Sequence, residues 1–125
     1  MSLDSAQNAG MAQPDRRTSP RTNVPSIEIR CDGDLYITED WGLGGCRISN
    51  YQGQWRPGTS ALIELYLNID HDHEGLPVRA EVVRFDPEHN NSLALCFVNL
   101  SAEDIIDFCD TVEEGLGAEV AKLIG

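Results

Sequence analysis

Positive charge is scarce in this sequence. Lys and Arg number nine against 21 Asp and Glu, a formal net charge of −12 over 125 residues. Residues 23–125 alone carry six basic and nineteen acidic side chains, or −13. A body this acidic repels nucleic acid and anionic membrane surfaces, which excludes bulk electrostatic binding to either. Long apolar runs are also missing: no stretch approaches the roughly 20 residues that a membrane-spanning helix needs. The opening "MSLDSAQNAG" has neither a basic start nor an apolar run and does not read as a secretion signal. The expected location is the cytoplasm. Cys31, Cys46, Cys96 and Cys109 form no C-x-x-C pair and read as small buried apolar residues. There is no P-loop, no dinucleotide fingerprint and no spaced Ser/His/Asp or Cys/His set, so neither an enzyme nor a bound cofactor is expected. "DHDHE" (70–74) is dense in metal-ligating types but falls in a turn, short of the four ligands of a closed metal site. It reads as a solvated turn, as does His89.

What is present is a succession of short alternating segments. "VPSIEIRC" (24–31) places Ile27, Ile29 and Cys31 on one face, as a half-buried strand does. "DGD" (32–34) has turn chemistry. "LYITED" (35–40) alternates with Leu35 and Ile37 on one face, and "DWGLGGCRI" reads as a turn or bulge before a strand over "GCRIS". "SALIELYLNI" (60–69), "VRAEVVRF" (78–85) and "SLALCFV" (92–98) follow, separated by polar turns. Six strands with short connections predict a closed or nearly closed antiparallel β-barrel, which also removes exposed sheet edges.

The period then changes. Ser101 is placed to cap a helix with Asp104 at its third position, and Ile105, Phe108, Cys109 and Val112 share one helical face. That helix closes or flanks the barrel. Gly115 and Gly117 end it, and "AEVAKLIG" reads as at most one more short turn. The expected organisation is a disordered tail over 1–14, a domain over 15–114 and a tail or short helix over 115–125. Within the domain come an arm (15–23), the barrel (24–99) and the helix (101–113).

The positive charge that does exist is concentrated at the start. "PDRRTSPRTNVP" holds Arg16, Arg17 and Arg21 in a proline-stiffened loop before the first strand. Guanidinium groups pair bidentately with phosphate oxygens and with the O6/N7 edge of guanine, and they stack on flat rings. Farther on, "DWGLGG" offers Asp40, whose carboxylate can accept from the N1–H and N2–H of guanine. Its glycines let a planar base approach the backbone. Each stretch alone also has a plain alternative: a solvated basic segment, and a hairpin bulge in which Asp40 caps turn amides.

Taken together and in this order, the two stretches resemble the PilZ domain family of bacterial cyclic di-GMP receptors. That family carries R-x-x-x-R in an N-terminal loop and D/N-x-S-x-x-G on its barrel. "RTSPR" matches the first from Arg17 to Arg21, with Arg16 before it, and "DWGLGG" matches the second at Asp40 and Gly45. The resemblance runs over about residues 15–112 and implies a six-stranded antiparallel barrel of split-barrel type with a C-terminal helix. It implies cyclic di-GMP held by Arg16, Arg17, Arg21, Asp40, Gly42 and Gly45, often as an intercalated dimer wrapped by the arm. No metal, no nucleic acid and no membrane insertion are expected, given the turn placement of "DHDHE", the acidic body and the lack of long apolar runs. The expected oligomeric state is a monomer or weak dimer that signals to a partner protein. Trp41 takes a motif position usually held by an aliphatic core residue, so its burial is expected.

Gly42 departs from the pattern, because it replaces the motif serine. Loss of one neutral hydrogen bond, about 0.5–1.5 kcal/mol net, weakens a site rather than abolishing it. The departure also motivates a second reading, a degenerate PilZ domain acting as a ligand-independent interaction adaptor.

Overall fold

The computed structural model describes residues 20–67 and 74–124. Arg16, Arg17 and all of "DHDHE" except Glu74 lie outside the described residues. Six strands form a closed antiparallel barrel: β1 (Ile27–Cys31), β2 (Asp34–Gly42), β3 (Gly45–Ile48), β4 (Ser60–Leu67), β5 (Leu76–Asp86) and β6 (Ser92–Val98). The order around the barrel is β1-β2-β3-β6-β5-β4. The β1–β2 turn uses Asp32 and Gly33, both at positive φ (51° and 88°), the backbone of a tight two-residue hairpin.

Alternation fills the interior. Ile27, Ile29 and Cys31 of β1, Ile63, Leu65 and Leu67 of β4, Val78, Ala80 and Val82 of β5, and Leu93, Leu95 and Phe97 of β6 are all buried in one cluster. Burying one such aliphatic side chain contributes about 1.5–3 kcal/mol. In β2, Tyr36 and Thr38 point inward, whereas Leu35 and Ile37 stand 40% and 56% exposed. The polar types can sit inside because their polar atoms are satisfied locally: the Thr38 hydroxyl donates to the Ile27 carbonyl (2.8 Å), and the Tyr36 oxygen accepts from the Gln52 N–H (3.1 Å).

Ser101 caps α1 (Ala102–Val112) and accepts from the Asp104 N–H at 3.1 Å. Ile105 and Cys109 join the barrel core. The C-terminal segment forms a nine-residue helix, α2 (Leu116–Ile124), longer than the short turn expected. A Cβ on Gly117 would lie 2.7 Å from the Ile106 carbonyl, so this glycine lets α2 approach α1 rather than ending a helix. Val120 and Ile124 are buried in the same core.

Of the cysteines, Cys31, Cys46 and Cys109 are buried as expected, while Cys96 is exposed on the outer face of β6. Burial pushes the Cys31 thiol up to about 12 and the Cys109 thiol up to about 11, so neither forms a thiolate near neutral pH.

Candidate functional site

Asp40 owes its direction to a β-bulge. The register of β2 against β3 shifts between Thr38 and Asp40: Thr38 pairs with Ile48, yet Asp40 pairs with Arg47 and Trp41 with Cys46. Thr38 and Trp41 both face inward, and the two acids between them, Glu39 and Asp40, are left on the outer side. In an unbroken strand Asp40 would share the inward face of Thr38, since side chains alternate. The extra residue re-aims it. Trp41 is buried as expected, and its indole N–H donates to the Pro25 carbonyl at 2.8 Å.

A second bulge lies across the barrel. Val82 pairs with Leu95 but Arg84 with Ala94, so the register of β5 against β6 shifts between Val82 and Arg84. The outcome is a row of outward-facing partners over four strands: Asp40, Arg47, Ala94 and Arg84. Ala94 is the small member of the row, set between two arginines, and it leaves a depression. An open cleft of about 480 Å³ sits there, lined by Arg21, Glu39, Arg47, Arg84, Asp86, His89, Ser92 and Ala94. Three of the six arginines among the described residues therefore meet at one place on an acidic body.

The arm reaches this cleft as a short added pairing on the end of β2. Thr22 and Trp41 exchange two backbone hydrogen bonds, each 2.8 Å. Arg21 then pairs with Asp40, Nη1 to Oδ1 at 2.6 Å, with both side chains 19% exposed. The two halves of the proposed motif pair are thus brought into contact across 19 positions of sequence. Arg47 approaches the other Asp40 oxygen at 3.5 Å and Glu39 at 3.1 Å. Arg84 lies 3.5 Å from Asp86, whose carboxylate also meets the His89 ring at 2.5 Å. The hydrogen bond to His89, followed by the charge of His89, the Glu88 N–H and the charge of Arg84, holds the Asp86 carboxyl below the usual range.

Gly42 lies under the arm, and a Cβ there would fall 2.2 Å from the Pro20 carbonyl oxygen. Gly45 lies on the opposite side of the hairpin. The Leu95 carbonyl oxygen occupies the space its Cβ would take, at 2.0 Å, so only glycine lets β3 close onto β6 there. Arg16 and Arg17 lie outside the described residues.

Arg47, Arg84, Ala94 and His89 were not singled out as site residues from the sequence; the one signal available was an outward arginine on each of two strands in a chain poor in basic residues. His89 does belong to a surface turn, as expected, but the turn edges the cleft. Among the described residues no group of His, Cys, Asp and Glu could hold a metal ion. Nor is any described helix long and apolar enough to cross a membrane.

Chemically, the cleft offers three guanidinium groups, with the Glu39 and Asp86 carboxylates in its lining and Asp40 beside it on Arg21. That set suits a ligand carrying both phosphate and a base edge with paired N–H donors.

Comparison with known proteins finds likenesses of family and of fold. The family model of the PilZ domain matches residues 15–111. A solved structure, that of the Bacillus subtilis inhibitor of motility (MotI/DgrA), is similar in fold with a TM-score of 0.50 at 19% identity. The likeness covers 73% of this chain and 46% of that one, so the chain spans less than half the length of that neighbour. No curated protein matches.

Proposed function

The chain belongs to the PilZ domain family, whose members are typically cyclic di-GMP receptors, and from that premise we propose that it is a cyclic di-GMP receptor domain signalling to a partner protein. PilZ domains are regulatory binding domains rather than enzymes. The observation that carries the reading is the meeting of Arg21 with Asp40 at the mouth of a cleft whose other walls hold Arg47 and Arg84.

In this reading the arginines take the phosphates and the O6/N7 edges of the guanines, and Asp40 accepts from a guanine N1–H and N2–H. Arg16 and Arg17 act with Arg21 on the arm, and Gly42 and Gly45 shape the hairpin beneath. A dianion is favoured because each cleft arginine it engages already sits on the protein and needs only to exchange a carboxylate partner for a phosphate. Ordering of the arm around the ligand then changes a surface that a partner protein reads. The domain works in the cytoplasm as a monomer or weak dimer, with no resident cofactor.

Calorimetric titration of cyclic di-GMP, with GTP and cyclic di-AMP as controls, tests the reading. Selective binding is expected, and two ligands per chain would mark an intercalated dimer. Arg17→Ala and Arg21→Ala should each weaken binding by about tenfold or more, since a hydrogen bond to a charged group contributes about 1.5–3 kcal/mol. Unchanged affinity in both variants, or no binding at about 100 μM by either the parent chain or Gly42→Ala, would defeat it. The adaptor reading would then take its place, with the exposed Leu35 and Ile37 on β2 as the first surface to probe.

A further inference from the structure

The surface of β2 on which a planar base would seat is covered by the protein itself. Three successive arm residues lie against three successive residues of β2. The Pro20 carbonyl oxygen sits over Gly42, so close that a Cβ would meet it at 2.2 Å, with Arg21 Cδ at 3.3 Å. Thr22 and Trp41 exchange their two backbone hydrogen bonds. Between them, Arg21 donates to Asp40 at 2.6 Å.

The chemistry of that last contact is specific. Arg21 donates through Nη1 to Oδ1 while Arg47 Nη2 lies 3.5 Å from Oδ2, so guanidinium N–H groups meet both carboxylate oxygens, as the N1–H and N2–H edge of guanine would. We propose that residues 20–22 form an autoinhibitory clasp, in which Arg21 stands in for a guanine base on Asp40 and Gly42, lacking a Cβ, allows the clasp to close. This rests on the receptor reading above and deepens it. The ligand binds by displacing the clasp, after which Arg21 is released to its phosphates. The glycine at the motif's serine position therefore does more than delete a hydroxyl. It admits a competitor.

The affinity consequence follows from populations, because an apparent dissociation constant is the intrinsic one divided by the fraction of open molecules. A clasp closed in about nine-tenths of molecules lowers apparent affinity about tenfold. Any side chain at position 42 opens it, since the obstruction is backbone.

The test uses the full chain with Gly42→Ala, Gly42→Ser and Thr22→Pro. The last removes the N–H that Thr22 donates to Trp41 and leaves the barrel untouched. Amide hydrogen exchange is read at Trp41, whose N–H donates to the Thr22 carbonyl. Exchange about tenfold faster or more is expected in Gly42→Ala and in Thr22→Pro, with the melting midpoint held within a few degrees. Unchanged Trp41 protection in both variants overturns the clasp whatever the ligand does.

Cyclic di-GMP is then titrated into each protein. Gly42→Ala should bind about tenfold tighter than the parent chain, and equal or weaker binding overturns the competition. Binding by Gly42→Ala where the parent chain shows none supports the clasp in its strongest form. Absence of binding throughout defeats the receptor reading and the competition with it, while the exchange result still decides whether Gly42 closes the arm.

Discussion

Two polar networks sit on this barrel, and they are built in opposite ways. At the β1–β2 turn, the buried Tyr51 donates its hydroxyl to Asp32 (2.8 Å) and accepts the Trp55 N–H (2.8 Å), while Asp32 also accepts the Gln54 N–H (2.8 Å). The Gln54 bond, then the Tyr51 bond, holds the Asp32 carboxyl below its usual range. Its partners are neutral and two of the three bonds use backbone donors, so the loop over 51–59 is tied to the barrel by groups with nowhere else to go. Around the cleft, by contrast, Arg47 and Arg84 each pair with a carboxylate at the surface, and Arg21 pairs with the half-buried Asp40. The exposed pairs of Arg47 and Arg84 contribute about 0–1 kcal/mol each and exchange partners at little cost. The first network holds the fold together; the second is able to give its arginines to a better anion.

Breaking each network should therefore produce opposite phenotypes. The largest effect is expected on binding. Arg84 is 73% exposed, so reversing its charge disturbs little of the fold. Arg84→Glu removes a phosphate contact and adds a second carboxylate beside Asp86. A loss of about a hundredfold in cyclic di-GMP affinity is expected, with the melting midpoint within about 2 °C of the parent. A hundredfold loss accompanied by a collapse in stability would erase the distinction between the networks. Tyr51→Phe should do the reverse. It strands the Trp55 N–H and removes one of two donors from Asp32 Oδ2, for about 1–3 kcal/mol, or roughly 5–15 °C in melting midpoint for a domain of this size. Cyclic di-GMP affinity should stay within about twofold.

The same contrast explains what could be read in advance. The alternation in β1, β4, β5 and β6 gave the inward faces because those strands hold apolar types at the inward positions, while charged, polar and small residues mix on the outside. β2 broke the rule because Tyr36 and Thr38 carry polar atoms that find partners close by, and nothing in a polarity pattern reports that. Arg21 and Asp40 were legible from motif spacing, but not their contact with each other, which depends on Thr22 pairing with Trp41. The cleft depends on two one-residue register shifts, at Thr38/Asp40 and Val82/Arg84. Neither shift has a proline or glycine to announce it, so Arg47 and Arg84 went unrecognised. Gly42 was visible as a missing hydroxyl, whereas its meaning in three dimensions is the room it leaves for Pro20.

The smallest effect, and the sharpest comparison, lies in acid. Asp32 and Asp86 are both held below the usual carboxylate range. A carboxyl depressed in the folded state lends stability above its unfolded value, about 3.9, and that stability is lost as pH falls through the folded value. Both residues should therefore steepen the loss of stability below about pH 4. They should differ in response to salt. The partners of Asp32 are neutral donors, so its contribution should survive about 1 M salt, where the Debye length is about 3 Å. The partners of Asp86 include the exposed, charged Arg84 and the exposed His89 ring beside the neutral Glu88 N–H (3.1 Å), so the charged part of its contribution should be screened. Urea unfolding between pH 7 and pH 3, at low and high salt, should show Asp32→Asn flattening the acid limb in both. Asp86→Asn should flatten it more at low salt than at high salt. Equal salt sensitivity in the two variants would mean that the cleft is held as rigidly as the Tyr51 corner, and that its arginines are not poised for exchange.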